Sequence, residues 1–189
     1  QTSEKEYFPC LADFIAPKNA SVKDHMGLFV VAIEESEKQI SKTFEDNGDE
    51  YSLLLFKVLC NRLAESMAEC LHQWIRTKWW NYASEEHLSD KDLLSQKYQG
   101  IRPAPGYPSC PEHSEKRKIF DILQAEKNLG IHLTENYMIQ PLPSVCGYYF
   151  AHPDAHYFDV GKIGDDQAED YANRKNISFE EAKKLLSKS

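Results

Sequence analysis

Residues 49–83 read DEYSLLLFKVLCNRLAESMAECLHQWIRTKWWNYA. Leu55, Leu59, Leu63, Met67, Leu71, Trp74, Ile75 and Trp79 recur three or four apart, the period of one helix face. Asp49 stands where an N-cap oxygen can take the first unpaired amides. The spacing predicts a helix from Asp49 to about Ala83, roughly 45 Å long at about 1.5 Å per residue, and a spine for the sheet to pack against.

Working outward from this helix, residues 10–15 and 26–33 are short apolar runs rich in Phe, Val and Ile, and read as two strands across a polar turn. Residues 34–45 switch to charges with Ile40 and Phe44 four apart, a short amphipathic helix that ends at the breaker Asn47-Gly48. On the other side, Ser89 with Asp92 opens a short helix, and Ser114 opens another whose Ile119, Ile122, Leu123 and Ala125 are apolar and whose stop is Gly130. Residues 144–151 and 157–163 flank the turn His152-Pro153-Asp154-Ala155 and read as a hairpin. Asp165 begins a helix, and Ser178 with Glu181 forms a capping box for the last one. The predicted class is α+β: a twisted, mainly antiparallel sheet packed against a long central helix and several shorter helices, as one unit over residues 1–189.

The 41% hydrophobic and 12% aromatic content of the 189 residues predicts a packed chain, not a disordered one. A net charge of -8 repels phosphate backbones, which argues against a nucleic-acid partner. No run approaches about eighteen apolar residues, so no membrane span is expected, and the absence of a basic-then-apolar leader points to the cytoplasm. Five scattered cysteines without a C-x-x-C pair predict free thiols.

Residues 100–111 hold four prolines and two glycines, so neither helix nor interior strand persists there. Within this loop Arg102 can grip a carboxylate through paired hydrogen bonds. The Ala104 carbonyl can accept from an exocyclic amine, Gly106 admits a ligand to the backbone, and Tyr107 offers a ring to a flat base or a cationic sulfur. Chemistry alone leaves open a rigid surface connection with one arginine, the commoner use of such loops. His152-x-Asp154-x-His156 invites a metal or metal-hydrolase reading, but Pro153 makes a turn of it and no further ligand cluster is evident, so no metal is expected. No Walker loop, G-x-G-x-x-G or G-x-S-x-G occurs.

The run Gly100-Ile101-Arg102-Pro103-Ala104-Pro105-Gly106-Tyr107-Pro108, followed by Pro111-Glu112-His113, resembles the signature loop of the activation domain of cobalamin-dependent methionine synthases. Cys10-Leu11-Ala12-Asp13-Phe14, Asn61-Arg62-Leu63-Ala64-Glu65, His152-Pro153-Asp154 and Asp166-Gln167-Ala168-Glu169-Asp170-Tyr171-Ala172 resemble family segments in the same order. The resemblance implies that S-adenosylmethionine lies in a shallow groove, with Arg102 on its carboxylate, the backbone of Ala104 and Gly106 on the adenine side, and Tyr107, Glu65, Tyr157 and Phe158 around it. His113 matches a family histidine at the end of the loop. It further implies no catalytic side chain of the domain's own, a methyl transfer to cobalamin carried by a partner domain, and flavodoxin or a similar flavoprotein as reductant. Phe158 stands where a second tyrosine is common, and Asn61 where an aspartate is common. An upstream helical part of the family domain, with a ligand-touching aspartate, has no counterpart in residues 1–189. The alternative is a stand-alone module that binds S-adenosylmethionine or docks on a corrinoid protein without catalysis.

Overall fold

The computed structural model describes residues 9–33 and 36–187. In chain order the described residues form a 3-10 turn Leu11–Phe14, β1 Gly27–Ala32, α1 Ser36–Asp46, α2 Glu50–Trp74 with a π turn Ile75–Trp79, α3 Asp90–Leu94, α4 Glu115–Leu123, α5 Ala125–Leu129, β2 His132–Leu133, β3 Ile139–Gln140, β4 Ser144–Tyr149, α6 Asp165–Lys175 and α7 Phe179–Leu186. The architecture is α+β with two small sheets, β1 beside β4 and β2 antiparallel to β3. The predicted start of the first helix at Glu34 lies outside the described residues.

The chain gathers into two compact units. The first draws on Gln1–Gly27, Leu88–Lys116 and Gly147–Ser189, the second on Leu28–His87 and Arg117–Cys146. The second is built on α2, and α1 lies along it with Phe44 and Phe56 rings 6.0 Å apart. Asp49 caps α2 as predicted, its carboxylate accepting from the Ser52 amide at 3.0 Å. The buried face is not the predicted one. Cys60, Ala64, Ala68 and His72, four apart, are buried, while Leu55, Leu59, Leu63 and Met67 stay 51%, 53%, 52% and 44% exposed. Two stripes of period four run along this helix, and the small one admits close neighbours. At its end the Arg76 guanidinium is fully buried and grips Glu86 through two bonds of 2.8 Å.

The first unit is centred on Phe14, Ile101 and Phe150, with Leu11, Ile15, Tyr148, Ala155 and Phe158 packed around them. Residues 10–15, predicted as a strand, are instead the 3-10 turn, because the Asp13 carboxylate accepts the Cys10 amide at 2.7 Å and the Asp13 amide donates back to the Cys10 carbonyl at 2.9 Å. The predicted hairpin is half formed. β4 is a strand, but residues 157–163 spend their backbone groups elsewhere and turn at Gly161, whose amide donates to Asp159 at 2.7 Å. Helices α6 and α7 pack on one another, and α7 begins at the Ser178 cap the sequence indicated. The helix after Ser114 is broken at Gln124, which takes a left-handed φ of 49° before α5. No described helix is long and apolar enough to cross a membrane.

Candidate functional site

The proline-rich loop is stitched to the first unit along its whole length. Ile101 and Phe150 exchange two backbone hydrogen bonds of 3.0 Å, and the Pro103 carbonyl accepts from the Tyr148 amide at 2.9 Å. Prolines suit this edge because they owe no amide to a partner strand. Beyond it the loop folds back on itself: the Gly106 amide donates to the Cys110 carbonyl at 2.7 Å, and the Cys110 amide donates to Tyr107 at 2.8 Å. Pro105 is fully buried inside this turn. Gly106 has a φ of +98°, which favours glycine.

Residues 157–160 close against the loop. The Tyr157 hydroxyl accepts the Arg102 amide at 3.0 Å, and the Pro108 carbonyl accepts the Val160 amide at 3.2 Å. The Ser109 hydroxyl donates to the Phe158 carbonyl at 2.6 Å and accepts the Phe158 amide at 3.0 Å. Arg102, Ala104, Gly106, Tyr107, Tyr157 and Phe158 are thereby held on one framework, while Tyr107 leaves 60% of its surface exposed. Gly106 and Tyr107 also line a cavity of ≈ 490 Å³ that reaches Ile163, Lys183 and Leu186. Glu65 sits exposed on α2, in the other unit. His113 packs under Gly106.

The far end of the loop is anchored by groups that the spacing of the sequence did not single out. Glu112, 3% exposed, accepts from the Ser114 amide, the Tyr171 hydroxyl at 2.8 Å and the Lys175 ammonium, which also reaches Glu115 at 2.8 Å. Burial alone would raise the Glu112 pKa, but the bonds from Lys175, Ser114 and Tyr171 outweigh it and hold the carboxyl below its ordinary value. Burial would lower Lys175, but the bonds from Glu112, Glu115 and Tyr171 raise it. The Cys110 thiol is pushed up to about 12, first by burial and then by Glu115 and Glu112, so it is protonated and unreactive at neutral pH. A usable signal was present: Tyr171 and Lys175 are four apart on the helix whose Asp166–Ala172 motif stood out without a role.

His152 and His156 are engaged within their turn, His152 Nδ1 accepting the Asp154 amide at 3.1 Å and His156 Nδ1 lying 2.9 Å from the Asp154 carbonyl. Both rings pack on Phe14. Among the described residues no group of three or more His, Cys, Asp or Glu gathers as metal ligands.

The model for the vitamin B12 dependent methionine synthase activation domain matches residues 1–176. This chain belongs to that family. A solved structure described as the MetH reactivation domain bound to AdoHcy superposes with a TM-score of 0.89 and is 46% identical. The match takes in 94% of this chain and 55% of the other. The loop at 100–113 lies inside the stretch that the family model matches, with Gly106 in the turn just described. No disulfide joins Cys10, Cys60, Cys70, Cys110 and Cys146 in this activation domain.

Proposed function

We propose that the chain binds S-adenosylmethionine along the 100–113 loop and presents its methyl group during reductive reactivation of a cobalamin-dependent methionine synthase. The observation that carries this reading is the 46% identical relative described as bound to AdoHcy, the demethylated form of that donor, which matches 94% of this chain. A cobalamin held by its own domain and reduced by one electron from a flavodoxin-like flavoprotein would supply the nucleophile that takes up the methyl group. The methyl group leaves the sulfonium, the sulfur keeps the bonding pair, and S-adenosylhomocysteine is released.

The residues of this chain bind and orient. Arg102 clamps the ligand carboxylate, and the Tyr157 hydroxyl fixes the backbone from which Arg102 projects. The Ala104 carbonyl, already accepting the Tyr107 amide at 3.3 Å, keeps a second lone pair for an adenine amine. Gly106 admits the ligand to the backbone, and Tyr107 and Tyr157 wall it, with Phe158 packed on the Phe14 cluster beside them. No side chain forms a covalent bond, so the domain contributes positioning, worth up to about 7 to 11 kcal/mol when reacting atoms are held in line. The family match runs through both units, which supports treating them as one functional domain in the cytoplasm beside the cobalamin domain.

Calorimetry with S-adenosylmethionine tests the reading. The parent is expected to bind saturably, and Arg102→Ala to lose at least about tenfold in affinity, the scale of one charge-assisted clamp. A folded parent that takes up no ligand, or a variant that binds as the parent does, sinks it.

A further inference from the structure

The Gly106 turn has a floor. A β-carbon placed on Gly106 would overlap the His113 imidazole, with both ring nitrogens at 2.8 Å. The backbone therefore rests on the ring as closely as a glycine permits. The same Nδ1 also meets Lys116, which is 8% exposed and holds its ammonium 2.6 Å away. An ammonium has only protons to give, so Nδ1 accepts and the imidazole is neutral with its proton on Nε2. Burial, and after it the Lys116 charge, keep the His113 pKa below its ordinary value, against a smaller opposite pull from Glu112. Lys116 on α4 and Glu112 beside it are the charged groups acting on the ring, and Glu112 is itself covered by Lys175.

We propose that His113 is a positioning residue for the donor loop: a neutral imidazole, clamped by Lys116, props the Gly106 turn, and protonating it loosens the turn and weakens S-adenosylmethionine binding. The proposal rests on the binding-site reading above and gives His113 a place beneath the ligand-binding backbone instead of against the ligand. Protonated Nδ1 would put a second donor and a second positive charge 2.6 Å from the Lys116 ammonium. The contact then breaks. The ring has no room to retreat toward Gly106, so either Lys116 swings away and the clamp is lost, or the turn moves.

The ligand-free protein provides the first readout. In a nuclear magnetic resonance titration from about pH 8 to 5, the Gly106 amide shift should follow the midpoint of the His113 ring, as linkage between the two requires. In His113→Gln, which keeps an acceptor for Lys116 and cannot titrate, that shift should be flat. Calorimetry provides the second: the parent should lose about fivefold more S-adenosylmethionine affinity than His113→Gln over the same range, the ligand's own titration being common to both. A Gly106 amide that ignores the His113 titration, or a variant with the parent's pH slope, overturns the proposal alone. A parent that binds no S-adenosylmethionine at pH 8 overturns the site reading and this proposal with it. Should His113→Gln fail to fold, the parent's amide titration still decides.

Discussion

The hydroxyl of Ser109 is engaged on both sides, as donor to one backbone group of Phe158 and acceptor from the other. One small side chain thus replaces the ladder pairing that residues 157–163 were expected to find in a hairpin, and it sets the distance of Tyr157 and Phe158 from the loop. Nothing in the spacing Ser109…Phe158 announces this, because serine in a proline-rich loop reads as solvent-facing. Removing the hydroxyl leaves an amide and a carbonyl unpaired in a part-buried position, each costing about 1 to 3 kcal/mol. Ser109→Ala is expected to lower stability by about 2 kcal/mol in denaturant unfolding and to weaken S-adenosylmethionine binding, since Tyr157 also braces the Arg102 backbone. Unchanged unfolding with unchanged binding would mean that water replaces the hydroxyl at no cost.

At the scale of elements, the helices were legible wherever a cap and a stop bracket the period. Asp49, Ser89 and Ser178 cap as read, and Gly130 stops α5 with a φ of +62°. Two kinds of feature were not legible. Strand-like apolar runs at 10–15 and 157–163 carry local acceptors, Asp13 and Asp159, that turn the backbone before a ladder can form. On α2 the large and the small stripes share one period, and hydrophobicity alone favours the wrong one. The site loop was legible as a motif, while its supports at Glu112, Lys175 and Ser109 depend on contacts far apart in sequence. The α2 assignment can be tested with two substitutions. Leu59→Gln, on the half-exposed stripe, should change stability by less than about 0.5 kcal/mol, whereas Ala64→Leu, at 1% exposure, should cost about 1 to 3 kcal/mol by overpacking. The reverse ranking in chemical unfolding would restore the face that the periodicity indicated.

For the molecule as a whole, pH sets two opposing trends. With a net charge of -8, acidification relieves self-repulsion and by itself would stabilise the fold. The ionisable groups around the loop act the other way. Glu112 has a folded pKa below its ordinary 4.5, so its contribution is present above that value and is lost as pH falls through the folded one. His113 is likewise held below its ordinary 6.5, so the stability tied to its neutral form is present above 6.5 and is lost on further acidification. Lys175 is shifted up from 10.5, so its share is complete below that pH and fades only as pH rises through its folded value. All three contributions are therefore intact from about pH 7 to 10, and a plateau of stability is expected there. Below it the His113 loss should begin first and the Glu112 loss should steepen the fall near and below pH 4.5. Urea midpoints across this range separate the loop from the global charge. In the double variant Glu112→Gln, Lys175→Met the steep acid limb should flatten while the gentler decline from pH 7 remains. If parent and double variant instead rise together on acidification, relief of net charge dominates and the buried anchor contributes little to the pH dependence of the fold.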